Sequence, residues 1–123
     1  MAKVRDYTLE CYKSGGWTAL ARVELPSGNY IAQATISTVH VEVKNAAGTI
    51  TKASASLTVS DVVFDTLQND ARWTEDTTGF NFRYEVPAAA FPAAGHHRVE
   101  FKFTPSTGEV FFLTFEGIAR GTF

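Results

Sequence analysis

Few residues in this chain have the type and spacing for chemistry. His96 and His97 are adjacent, so on a strand they point to opposite faces and cannot hold one metal ion side by side. His40 sits on the polar side of its own alternating run and reads as a surface histidine. Cys11 alternates with Tyr7 and Leu9 as a small buried hydrophobe would, and no neighbour in sequence activates a thiolate. Asp65, Asn69, Asp70, Glu75 and Asp76 concentrate oxygen ligands of the kind calcium prefers. Their spacing is not that of an EF-hand, and such residues also bond their own backbone in exposed turns. Glu100 and Glu116 fall on surface strands, without the cleft that a glycosidic carboxylate pair needs. Phosphate-cradling glycine loops, a nucleophile elbow and the Ser-x-x-Lys arrangement are missing as motifs. Lys13-Ser14-Gly15-Gly16 reads as a hairpin turn. The expectation is a protein with no catalytic residues, no metal and no cofactor.

The elements that would position any site are strands. Thr, Val, Phe, Ile, Tyr and Trp supply 46 of the 123 residues, against 6 Leu and 1 Met, and these β-branched and aromatic types suit a pleated, half-buried surface. Phe80, Phe82, Tyr84 and Val86 alternate with Asn81, Arg83 and Glu85, and Val99, Phe101 and Phe103 alternate with Arg98, Glu100 and Lys102. The same period of two runs through Val39, Val41 and Val43, and through Ala53, Ala55, Leu57 and Val59. Gly- and Pro-containing turn signals separate these runs. Strands are expected near 4–12, 17–24, 30–44, 49–59, 61–66, 79–86, 97–104 and 109–118. The 30–44 run is too long for one flat strand, and a bend or bulge near Ile36 to Thr38 would carry it from one sheet to another. Pro87 to Phe91 is the only helical reading, a turn closed by Pro92, with Phe91 plugging the end of the core. The fold class expected is therefore all-β: a single antiparallel β-sandwich domain over 1–123, of about seven to eight strands, with one short helical turn near 87–92.

Composition narrows the partners. Net charge is only -2 and the isoelectric point is near 5.9, which disfavours a nucleic-acid binder that neutralises phosphates. No apolar run approaches the roughly 18 residues of a membrane span, and Met1 to Glu10 show no basic segment followed by an apolar one, so neither a membrane span nor a signal peptide is expected. A single cysteine permits no intrachain disulfide and suits folding in a reducing cytoplasm.

Gly79 to Val86, the turn Pro87 to Pro92, Gly95 to Phe103 with its x-x-x-Val-x-Phe-x-Phe pattern, and the hairpin into Gly108 to Phe115 together resemble the last three strands of immunoglobulin-like domains. The Cys, Trp and Cys pattern of antibody domains is absent, and His97 or Arg98 stands where a corner tyrosine would be. Among such modules the chain is most similar to the small, cysteine-poor immunoglobulin-like domains of tailed-phage virions, of baseplate or capsid-decoration type. The resemblance implies a structural protein of the virion, made in the host cytoplasm, whose partners are copies of itself and other virion proteins.

The residues themselves point to an interface. Val110, Phe111, Phe112, Leu113 and Phe115 make the last strand apolar on both faces, so it must be covered twice, by the N-terminal segment or by another subunit. No Pro or Lys blunts its second edge between 109 and 118. Trp17 and Trp73 lie in or beside loops, as half-buried packing residues or as interface anchors. The interface set expected is Phe111, Phe112, Leu113, Phe115, Trp17 and Trp73. The alternative is a small carbohydrate-binding sandwich in which Trp17, Tyr30 or Trp73 stacks on pyranose faces. The longest stretch without alternation, Leu67 to Thr78, is the functional loop expected at one end.

Overall fold

The computed structural model describes the backbone of residues 6–12 and all atoms of 15–69, 73 and 77–121. The described residues form eight strands: β1 (Asp6–Tyr12), β2 (Trp17–Ala21), β3 (Ile36–Asn45), β4 (Ile50–Leu57), β5 (Val63–Gln68), β6 (Phe80–Val86), β7 (Gly95–Pro105) and β8 (Phe111–Arg120). They form a five-stranded sheet in the order β1-β8-β7-β3-β4 and a three-stranded sheet in the order β2-β6-β5. The fold is the all-β sandwich expected from the alternation. All pairs are antiparallel except β1 with β8, which run parallel. The first strand joins the last, β8, rather than its successor β2, which belongs to the smaller sheet.

Each alternating run buries one face. Val39, Val41 and Val43 of β3, Val99, Phe101 and Phe103 of β7, and Phe111, Leu113 and Phe115 of β8 meet Ala19, Ala21, Phe82 and Val86 of the smaller sheet. The centre of this core is aromatic. Phe82 lies edge-on to Phe101 and Phe103, at centroid distances of 4.8 and 5.3 Å, and Phe103 stacks on Phe111 at 5.0 Å. Such pairs add roughly 0.5 to 1.5 kcal/mol each beyond the area they bury. Phe91 is fully buried at the end of the short 3-10 turn Ala88–Ala90, and packs edge-on against His97 at 5.3 Å.

Two connections depart from the sequence reading. The 30–44 run is not one strand: β3 begins at Ile36, and the preceding residues Gln33–Thr35 form a 3-10 turn. That turn is closed by Thr35, whose Oγ1 accepts from Ala32 N and donates to Ala32 O, both at 2.9 Å. It delivers the chain from beside the smaller sheet to the larger one, and a register irregularity follows at Ile36 to Thr38. Between β4 and β5, where strands 49–59 and 61–66 are expected with a break of one residue, Val59–Val62 makes a single helical turn, α1. The chain changes sheets here too, and a turn that places Val59 and Val62 on one side packs both against the core.

The tight β3–β4 hairpin has a local cause. Asn45 Oδ1 accepts from Ala47 N and from Thr49 N, each at 3.0 Å, so the side chain supplies the turn's missing acceptor before Gly48. Among the described residues, no helix is long and apolar enough to cross a membrane.

Candidate functional site

Cross-strand register builds the outward face of the larger sheet from successive rows. His40 of β3 pairs with Lys102 of β7, and Lys102 with Phe112 of β8. In the next row Glu42 pairs with Glu100 and Glu100 with Thr114. The third row aligns Lys44, Arg98 and Glu116. Arg98 Nε donates to Glu116 Oε1 at 2.9 Å, and Lys44 Nζ lies 3.4 Å from Glu42 Oε1. Both pairs are solvent-exposed enough to contribute at most about 1 kcal/mol each.

Two features of this face are unfavourable in isolation. Glu42 stands directly opposite Glu100, and like charges facing across strands destabilise a sheet. Beside them His40 Nδ1 is buried with no hydrogen-bond partner among the described residues. A groove of about 320 Å³ lies over this spot, lined by His40, Val41, Glu42, Ser54, Glu100, Lys102 and Phe112.

The structure redistributes the expected interface residues. Phe111, Leu113 and Phe115 are buried between the sheets and present no surface for a partner. The last strand is therefore not apolar on both faces in the sense expected: its inward side belongs to the core, and only Phe112, 39% exposed, and Ile118, 59% exposed, are large apolar groups on the outward side. Val110, just before the strand, is also exposed. Nor is the second edge of β8 open, because β1 pairs along it from Asp6↔Thr114 to Tyr12↔Arg120. Trp17 is half-buried where β2 meets the other sheet, its ring edge-on to Phe115 at 4.9 Å. Trp73 is buried against Phe80, with centroids 5.9 Å apart, so it closes the end of the sandwich instead of projecting from it. Phe64 also packs edge-on against Phe80, at 6.0 Å. Of the three stacking candidates for a sugar, Tyr30 alone is well exposed, opposite Glu24 in an isolated bridge.

The remaining candidates divide similarly. His96 is exposed and His97 buried, on opposite faces of β7. His97 Nδ1 is 3.0 Å from the Gly95 carbonyl, which fixes a proton on that nitrogen when the ring is neutral, and Nε2 is buried without a partner among the described residues. Asp65 Oδ1 accepts from Gln33 N at 2.8 Å, and Asn69 Nδ2 donates to Thr77 O at 2.8 Å. Those side chains serve backbone groups. Asp70, Glu75 and Asp76 lie outside the described residues, as does the side chain of Cys11. Among the described residues no group of three or more His, Cys, Asp or Glu could hold a metal ion. Burial raises the phenol of Tyr84 above its ordinary pKa, a consequence of its place at the rim of the core.

Sequence reasoning read His40 and Glu100 as surface residues of their strands and did not bring them together with Glu42 and Lys102. Their common signal was the two-residue spacing in each strand. What brings them together with Phe112 is the β3–β7–β8 register, which none of the three strands encodes alone. No known protein family, curated protein or solved structure matches the chain.

Proposed function

We propose that this protein is a non-enzymatic structural module that works by protein–protein assembly, as a component of a phage virion, with copies of itself and with other virion proteins as partners. The observation that carries the reading is the outward side of β8, where Phe112 and Ile118 remain exposed after folding is complete. Large apolar side chains held out on a regular sheet face, among charged neighbours such as Lys102 and Glu116, are a surface suited to burial by a partner. The virion assignment rests on the resemblance of 79–115 to the immunoglobulin-like modules of tailed phages, and the sandwich architecture is compatible with it.

Mass by light scattering tests the assembly. Wild type should exceed the monomer mass at tens of micromolar, or bind a second virion protein, and Ile118→Lys and Phe112→Lys should give folded species of lower mass or lost capture. A wild-type chain that stays monomeric and captures no virion protein sinks the reading.

A further inference from the structure

We propose that the groove on the outward face of the larger sheet is a binding site for a single neutral sugar ring. The inference goes beyond assembly; the groove shares Phe112 with the surface proposed for a partner but does not include Ile118. Its first ground is concentrated local cost. The Glu42–Glu100 opposition, only partly offset by Lys44 beside Glu42, and the unpartnered His40 Nδ1 occur within two neighbouring cross-strand rows. A surface with only a solvation role has no reason to hold both in one place, and local rules are most often broken where a site is built.

The second ground is the chemistry of the lining. Glu42 and Glu100 offer carboxylate acceptors, Lys102 offers donors, Ser54 offers both, and Phe112 supplies an aromatic wall. An anion would meet the two carboxylates. A cation would meet Lys102, with Lys44 already beside Glu42. A neutral polyol suits both signs, because each hydroxyl donates to a carboxylate and accepts from an ammonium. The apolar C–H face of a pyranose matches the ring of Phe112, which is exposed for it. The volume of about 320 Å³ lies at the lower end of small-ligand sites, roughly 300 to 1,000 Å³, and fits one ring rather than a chain of them.

The test is a titration of the ¹⁵N-labelled full chain, followed by amide chemical shifts, with methyl α-glucoside, methyl α-mannoside, methyl β-galactoside and N-acetylglucosamine. Glucuronate and ethylammonium serve as charged controls. At least one neutral sugar should produce saturating shifts centred on residues 40–42, 54, 100–102 and 112. Glu100→Gln should weaken that sugar by about tenfold, the loss of one charge-assisted hydrogen bond, and Phe112→Ala should abolish the shifts while the spectrum stays folded. Ile118→Lys should still show the sugar saturating at the same residues even if it lowers the assembled mass, which separates this proposal from the assembly reading. It is overturned if no neutral sugar shifts those amides up to its solubility, if the shifts centre elsewhere, or if only a charged control binds there.

Discussion

The side chain of Asn81 is hydrogen-bonded to the backbone of Val23 in both directions: Val23 N donates to Oδ1 at 2.7 Å, and Nδ2 donates to Val23 O at 2.9 Å. The β2–β6 ladder ends at the Ala21–Phe82 pair. Beyond it the amide of Asn81 takes over the role of a neighbouring strand and lets the chain leave the sheet without orphaning Val23. A primary amide is the group for this task, since it carries one acceptor and two donors on a short stem. The same bonds make burial of Asn81, only 1% exposed, affordable.

Asn81→Leu should therefore cost about 2 to 4 kcal/mol, because the N–H of Val23 is left buried without a partner. Asn81→Asp should be at least as harmful, since its carboxylate keeps the acceptor but opposes the Val23 carbonyl. Urea denaturation of the two variants measures both losses, and a loss below about 0.5 kcal/mol for Asn81→Leu would mean the bonds contribute only what water would replace.

Gly79 and Gly108 both have positive φ, +105° and +107°, but differ in surroundings. A Cβ on Gly79 would overlap the carbonyl of Gln68, where the end of β5 passes β6, whereas a Cβ on Gly108 meets nothing within 4 Å. Gly108→Ala should cost only backbone strain of about 1 to 2 kcal/mol. Gly79→Ala must also push β5 away and should cost clearly more, with loosening of the Trp73, Phe80 and Phe64 group. Thermal melts, with tryptophan fluorescence reporting on that end, check the order of the two. Equal losses would show that the Gln68 approach relaxes freely.

The phase of β7 and β8 predicts a sharp contrast between neighbours. Phe101→Ala and Phe111→Ala, both emptying buried aromatic sites, should each cost about 3 to 5 kcal/mol. Lys102→Ala, on the exposed side of β7, should stay within about 0.5 kcal/mol. Chemical denaturation of the three variants reads this directly, and a Lys102 loss comparable to that of Phe101 would contradict the observed strand phase.

Strand existence and strand phase were legible before any fold was known. Alternation in Val39 to Val43, Phe80 to Val86 and Val99 to Phe103 identifies the side that meets the core, because successive side chains leave a strand in opposite directions. The same geometry separates His96 from His97, and Pro87 and Pro92 bracket the turn that buries Phe91. Alternation is silent where apolar residues run consecutively, as in Val110 to Leu113. There the sandwich decides: Phe111 and Leu113 join the core between the sheets, and Phe112 is left outside. It is equally silent on Asn81, a polar residue that becomes affordable in the interior only because Val23 arrives beside it. Trp73 is placed inside by its contact with Phe80, a partner seven positions on that no short-range pattern announces. The candidate groove depends wholly on tertiary structure. Period-two patterning sets which side of a strand each residue takes, but the alignment of His40, Lys102 and Phe112, or of Glu42 and Glu100, is a matter of register between strands far apart in the chain. That register is set by how two inner faces pack together, and no single strand contains it.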